Sequence, residues 1–335
     1  MKKHLQVSSL IVLLVCVSSG LLASTSEIDA DLMAKRRVFK EVGPGLRAVR
    51  HGANGNYYVL GAVGVVVFDP QMKRLKFIGE KEEVPSGQKA PPGLIGSGED
   101  CDVDAKGNIY VADRGYNQIT EFAPGGKVLR SFPVNSPMSV AVLAADEVAV
   151  TAAQQKALVA VYDANSKLAR EFGEPESLST RADVEHLINL GRVNADPKGH
   201  VYFGFTYYPD PTVRQFDSDG TVAQTFQFTG IDAFPEAHAV RKEIERLETA
   251  QKESPVLHTI LTGFGVDPVN GDLWLGLHNT LVHFDKEGIR RSEYQVYTMN
   301  GTHLEASVIL VEEDRLLIGT DPLGVYEFAR PDRIH

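Results

Sequence analysis

The sequence predicts an all-β chain folded as a six-bladed β-propeller of four-stranded antiparallel blades. Three observations lead there. A grammar of short strands recurs six times along the chain, its turns carry Gly, Asn or Pro at matching places, and a spare N-terminal strand matches the one missing from the last copy.

In chain order, residues 1–23 have the layout of a secretory signal. Lys2 and Lys3 give a basic start, Leu10 to Val17 an apolar run, and Ala23 and Ser24 small residues where a peptidase cuts. The run falls short of the roughly 20 residues that a membrane span needs, and no later segment reaches that length. No membrane span is therefore expected in the mature chain, which is placed in the periplasm or outside the cell. Leu13-Leu14-Val15-Cys16 is close to a lipoprotein box, but Val15 stands where a small residue is wanted, so lipidation at Cys16 stays an alternative. Residues 24–35 are expected to be a flexible N-terminal segment.

The formal net charge is −10, and the first 23 residues hold two lysines and no carboxylate, so the mature chain carries −12. That balance opposes a phosphate-backbone partner, and no nucleic acid is expected. The two cysteines are Cys16 and Cys101. Once Cys16 leaves with the signal, neither a disulfide nor a cysteine-zinc site can form, and Cys101 in an alternating strand reads as a buried thiol.

The propeller domain is expected over residues 36–330. Its first copy has Gly55 to Val59, Val65 to Pro70 and Leu75 to Gly79. The second is the clearest: strand Cys101 to Asp104, turn Ala105 to Asn108, strand Ile109 to Ala112, loop Asp113 to Asn117, strand Gln118 to Phe122, turn Pro124 to Gly126 and strand Lys127 to Phe132. Later copies centre on Glu147 to Val150, on Asp196 to Tyr202, on Asp267 to Trp274 and on Asp314 to Gly319. The sixth stops after Phe328, and Pro331 discourages a fourth strand there. The segment Arg37 to Gly43 has the pattern of the fourth strands Val128 to Phe132 and Leu168 to Gly173. An open ring would leave a sheet edge unpaired and blade faces wet, so the N-terminal strand is expected to close the last blade.

The run Asp104-Ala105-Lys106-Gly107-Asn108-Ile109-Tyr110-Val111-Ala112-Asp113-Arg114-Gly115-Tyr116-Asn117 closely resembles the NHL-repeat consensus. The fifth and fourth copies match it loosely, and the third and sixth are degenerate. The resemblance spans nearly the whole mature chain and implies the NHL kind of six-bladed propeller, a fold that hosts many functions.

Two stretches break the meander. Residues 231–255 predict a helical insertion between blades 4 and 5, because Ala237, Val240, Ile244 and Leu247 recur at helical spacing behind Pro235. Glu176 to Leu190 predicts a further turn or two of helix before blade 4. In a propeller, such inter-blade connections open on the same face as the loops between second and third strands. That geometry places Arg47, Glu99, Asp100, Arg192, Thr262 and Glu305 from the connections around one mouth of the channel. From the inner loops it adds Asp113, Arg114, Tyr116, Asn117, Gln154, Gln155, Tyr207, Tyr208, Asp210, His278, Asn279 and Asp321. Polar groups converging from several blades are what a ligand would meet there.

Catalytic signatures are scarce. The sequence holds no Gly-x-Ser-x-Gly elbow, no phosphate-cradling glycine loop and no His-Glu-x-x-His. His258, His278 and His303 fall near blades 5 and 6 and are the candidate metal ligands, since imidazoles from separate loops can hold zinc with an open position. Some NHL-like propellers are metal-dependent lyases. Gluconolactonase-type propellers gather carboxylates and an asparagine around a divalent ion, and Glu99, Asp100, Glu305 and Asn279 could imitate that set. No cofactor is required by the sequence, with zinc or calcium as the alternative. His51 is expected to be packed on a first strand. The expected role is a monomeric binding or scaffold module for a protein, peptide or glycan, and the alternative is a metal-dependent lyase or lactonase-like hydrolase.

Overall fold

The computed structural model of the chain describes residues 29–42, 44–62, 64–79, 93–228, 235–250 and 252–333. The expected signal segment, with Cys16, lies outside them. Among the described residues the strands form six antiparallel meanders arranged in a ring, so the fold is the six-bladed β-propeller that the repeats predict.

The first two strands, β1 (Ala30–Met33) and β2 (Arg36–Val38), precede the ring proper. Blade 1 holds β3 (Ala48–His51), β4 (Tyr57–Gly61), β5 (Gly64–Phe68) and β6 (Arg74–Ile78). Blade 2 holds β7 (Gly98–Val103), β8 (Ile109–Asp113), β9 (Gln118–Phe122) and β10 (Val128–Pro133). Blade 3 holds β11 (Pro137–Val142), β12 (Val148–Ala152), β13 (Val159–Tyr162) and β14 (Leu168–Phe172). Blade 4 holds β15 (Gly191–Ala195), β16 (Val201–Phe205), β17 (Thr212–Phe216) and β18 (Val222–Gln227). Blade 5 holds β19 (Gly263–Val266), β20 (Leu273–Leu277), β21 (Thr280–Phe284) and β22 (Arg290–Tyr297). Blade 6 holds β23 (Val308–Val311), β24 (Arg315–Thr320) and β25 (Gly324–Ala329). Its fourth strand is β2, antiparallel to β25 with Arg37 opposite Tyr326 and Val38 opposite Val325, as the closure argument requires.

The local chemistry is the same from blade to blade. Middle strands such as β5, β8, β16 and β20 are buried along their whole length, which suits their runs of Val, Ile, Leu and aromatic residues. Outer strands such as β6 and β18 are mostly exposed. Aspartates organise the turns: the Asp104 carboxylate accepts the amides of Lys106 and Asn108, both at 2.8 Å, and Asp69, Asp163, Asp196 and Asp285 do the same in other blades. Gly107 sits in the left-handed region at φ +81°, where a side chain would be strained.

Residues 30–33 correct one expectation. Part of the segment read as flexible forms β1, which adds to the outer edge of blade 5 in parallel with β22, pairing Ala30 with Tyr294 and Met33 with Tyr297. The long β22 leaves an edge that β1 covers, and the Asp29 carboxylate accepts the Glu293 amide at 2.7 Å. The Lys35 amide then reaches the Glu327 carbonyl at 2.8 Å, carrying the chain onto blade 6.

The cores lie between neighbouring blades. One cluster joins Val38 and Phe39 to Leu317 and Val325 of blade 6 and to Tyr57 and Phe68 of blade 1. A separate cluster belongs to the insertions, α1 (Ala182–Ile188) and α2 (Pro235–Thr249), and buries Val184, Ile188 and the four predicted residues Ala237, Val240, Ile244 and Leu247. Both helices leave the ring between blades, where the sequence places them. Burying four aliphatic side chains on one stripe contributes of the order of 1.5–3 kcal/mol for each large one.

Candidate functional site: the upper mouth of the channel

First strands line the channel, so the residues just before them mark one mouth and the residues just after them mark the other. The first, called upper here, holds a cavity of about 870 Å³. Of the residues that the sequence assigns to this mouth, Glu99, Arg114, Arg192, Tyr207, Thr262, His278 and Glu305 line it, and His258 joins them. The insertions build one wall. Pro235, Glu236 and Ala239 of α2 face the cavity, while the buried stripe of α2 packs on α1. Glu248 clamps the two: it accepts the hydroxyls of Ser179 and Thr180, and the Thr180 amide at 3.0 Å. Arg181 donates to the carbonyls of Leu247 at 3.1 Å and Ala250 at 2.9 Å. Arg241 of α2 pairs with Asp210, tying the wall to blade 4.

Several predicted site residues are braces instead. Asp113 is buried, and its carboxylate accepts the amides of Gly96, Ser97 and Gly115, each at 2.9 Å. A Cβ on Gly115 would fall 2.6 Å from the Ser97 nitrogen, so this loop closes against the neighbouring connection. Tyr116 packs beside Gly96, and the Asn117 side chain accepts the Ser136 amide at 2.8 Å. Tyr208 packs between the helix cluster and Phe205, with ring centroids 5.4 Å apart. Asn279 donates to Gln295 at 2.5 Å and meets His303 Nδ1 at 2.8 Å, while His303 rests on Tyr297. Gln154 accepts from Asn135, Gln155 donates to the Leu158 carbonyl, and Asp321 accepts the Gly45 amide. For Asp113, Asn117 and Asp321 the physical reason is shared: loops packed this closely have orphan backbone amides, and short polar side chains satisfy them.

His258 and His278 share the mouth, whereas His303 does not line it. His278 adopts φ 56° and its Nε2 lies 3.0 Å from the Thr259 carbonyl, so that nitrogen carries a proton and donates. Its Nδ1 stands 3.8 Å from the Glu305 carboxylate. Glu305 raises the imidazole's pKa above its ordinary value, and His278 in turn lowers that of Glu305. A metal bound through Nδ1 would replace the contact with Glu305 and leave the Nε2–H bond to Thr259 in place. The cluster of histidine and carboxylates within metal-ligating reach, among the described residues, is Asp272, His283 and Asp332, on the far side of blade 5. Arg330 already engages Asp332 at 2.6 Å there.

Below the mouth the channel narrows to a void of about 30 Å³ lined by Arg47, Arg50, Asp100, Arg192, Asn194 and Ser307 among others. Asp100, expected at the mouth, is sealed in this waist. It accepts from Arg50 at 2.9 Å, from its neighbouring Cys101 amide at 2.8 Å and from the Ser139 hydroxyl. Arg50 also lies 3.5 Å from Asp102, whose pKa is raised by burial despite that cation. Cys101 is fully buried and its thiol is pushed far up by burial, in keeping with an inert role.

The opposite mouth opens into a second cavity of about 880 Å³, where the sequence marked no site. His51, read as packed, stacks on Tyr57 at 4.4 Å and bonds Glu312 at 2.7 Å. Tyr57 donates to Glu312 at 2.9 Å, and Arg315 donates to both Glu312 and Tyr57. A signal existed: Glu312 follows β23 where Asp104, Asp196 and Asp267 follow their first strands. The substitution of Glu for Asp at that register lengthens the side chain enough to leave its own turn.

No family model matches the chain, and no curated protein matches it by sequence. Solved structures do resemble it. A catalytically inactive virginiamycin B lyase from Staphylococcus aureus with quinupristin, carrying alanine in place of one histidine, aligns over 86% of this chain and 81% of that one, at TM-score 0.54 and 12% identity. A structural-genomics protein of unknown function from Bacteroides thetaiotaomicron aligns over 92% and 73%, at TM-score 0.55 and 11% identity. The WD40 repeats of RRP9 align over 88% and 96%, at TM-score 0.53 and 10% identity. At such identities the likeness is one of fold.

Proposed function

We propose that the chain is an exported binding module of the NHL kind that takes a peptide segment of a partner protein into its upper mouth. The observation that carries this reading is the wall. The ring is closed by β2 without help from α1 and α2, yet these helices have their own core, and α2, backed by α1, adds its face to one mouth. The lining supports a peptide over a glycan. Glu99, Glu236 and Glu305 stand with Arg114, Arg192 and two histidines, interleaved with Met138, Leu261 and Pro235, and Tyr207 is the sole phenol among the described lining residues. Mixed charge with apolar patches suits a chain of amides and varied side chains, whereas sugar faces are held by aromatic platforms.

The test is selection of a displayed peptide library on the protein lacking residues 1–23, followed by affinity measurements. Ala239→Trp, on the exposed cavity face of α2, should weaken enriched peptides at least tenfold, and Lys198→Trp at the opposite mouth should not. Peptides that bind Ala239→Trp as well as the native chain would move the site elsewhere.

A second reading is a metal-dependent lyase. It is favoured by His258, His278 and Glu305 sharing the cavity, and by the lyase above, which is described as inactive when one histidine becomes alanine. Its test is metal content after exposure to zinc, manganese or calcium and exhaustive dialysis. One equivalent retained by the native chain and lost in His278→Ala would support it over the binding reading; none retained would remove it.

A further inference from the structure

Building on the upper mouth as a peptide site, we infer that its floor is a carboxylate seat, in which Arg47 and Arg192 receive the free C-terminal carboxylate of the bound segment. Arg47 precedes β3 of blade 1 and Arg192 lies in β15 of blade 4, on opposite sides of the ring. Both line the waist void of about 30 Å³, and Arg192 and Ser307 line the mouth above it as well, so the two spaces meet at these residues.

The charges of the waist are unequally matched. Arg50 is committed to Asp100 and Asp102. Arg192 makes one long bond, 3.3 Å to the Glu99 carbonyl. The Arg47 side chain has no hydrogen-bond or ion-pair partner among the described residues, and its Nε is buried. A buried guanidinium N–H without an acceptor is costly, and the fork of N–H donors fits the two oxygens of a carboxylate. The void admits a group of few heavy atoms and excludes a bulky side chain.

The rim is of mixed charge and mostly paired within itself. Glu305 is matched by His278 and accepts the Ser307 hydroxyl at 2.5 Å, and Glu99 lies 3.9 Å from Arg114. Glu236 adds a third carboxylate to the lining. A cationic floor beneath a rim whose charges are largely paired orients the ligand: the negative end goes down and the rest of the chain stays at the rim. A peptide entering C-terminus first meets both conditions.

The probes are acetyl-trialanine with a free carboxylate, the same peptide as its C-terminal amide, and inorganic phosphate. Each is titrated into the protein lacking residues 1–23 while the arginine Nε–H resonances are followed. The acid should shift the Arg47 and Arg192 signals and bind at least tenfold tighter than the amide and than phosphate. Arg47→Met should abolish that preference; if this variant does not fold, Arg192→Gln serves in its place. Equal binding of acid and amide, both lost in Ala239→Trp, overturns the seat and leaves the mouth as a peptide site. Acid binding that Ala239→Trp does not touch overturns both readings. Phosphate binding as tightly as the acid also overturns the carboxylate assignment.

Discussion

Val38 and Phe39, neighbours in the chain, serve two different blades: Val38 stands opposite Val325 in the ladder that completes blade 6, while the Phe39 ring lies 4.8 Å from that of Phe68 in blade 1. The N-terminal segment therefore joins the ends of the ring through main-chain bonds on one side and side-chain packing on the other. Through β1 it also grips blade 5.

Phe39→Ala should therefore open the closure. The side chain is buried against Tyr57 and Phe68, and removing a buried aromatic costs about 3–5 kcal/mol. The expected outcome is a lower midpoint in urea unfolding together with faster hydrogen exchange in β2 and β25. A change confined to the midpoint, with exchange in β2 unaltered, would place the loss elsewhere in the ring.

The ring was legible because each copy repeats both its turns and its strand alternation, and because Arg37-Val38-Phe39 has the look of a fourth strand with nothing else to pair with. β1 was not legible. Of Ala30 to Met33 only Leu32 is buried, so the segment has no alternation to read. The upper mouth was legible in part, since connection length and blade register fix which loops reach it. Which polar residues face inward was not, because Asp113 and Asn117 bond amides across a loop junction whose path the sequence does not state. The waist and the lower mouth depend on partners such as Arg50 with Asp100 and His51 with Glu312, which lie 50 residues or more apart and follow no local spacing.

The pair Arg330 and Asp267 gives a second prediction. Both side chains are fully buried, and the guanidinium donates to Asp267 at 2.6 Å while lying 5.8 Å from the Trp274 ring centroid. Arg330→Met strands the Asp267 carboxylate, and breaking a buried pair from one side costs about 3–5 kcal/mol. Adding Asp267→Leu should restore part of that loss. Chemical unfolding of the two single variants and the double variant closes the cycle; additive losses would show that the pair is not coupled.

Acid and alkali should each weaken the lower mouth, acid through Glu312 and alkali through His51. Glu312 would be raised by burial, but His51, Arg315 and Tyr57 outweigh that and hold it at about 2, below its ordinary 4.5. That displacement is worth roughly 3 kcal/mol, present above pH 4.5 and lost as pH falls toward 2. His51 is raised above 6.5, chiefly by its bond to Glu312, so its contribution is complete below 6.5 and is lost as pH rises through the elevated value. The stability difference between the native chain and Glu312→Gln should grow between pH 2 and 4.5. The difference from His51→Gln should hold level between pH 5 and 6.5 and shrink above that. A His51→Gln difference that widens with rising pH would reverse the sign and remove the ion pair from the account.

The wall of the upper mouth should loosen when its clamp is removed. Glu248 gathers the Ser179 and Thr180 hydroxyls and the Thr180 amide onto α2, and hydrogen bonds from all three hold its carboxyl below the ordinary range. Glu248→Ala leaves the buried stripe of α1 and α2 intact, so the helices should stay folded while their docking weakens. Amide exchange should quicken several-fold over residues 176–190 and 235–249 and stay unchanged in the blades. Peptide affinity should fall with it, because a mobile wall must be ordered each time the cavity fills. If exchange quickens and affinity does not move, α2 is a decoration of the ring and the cavity works without it.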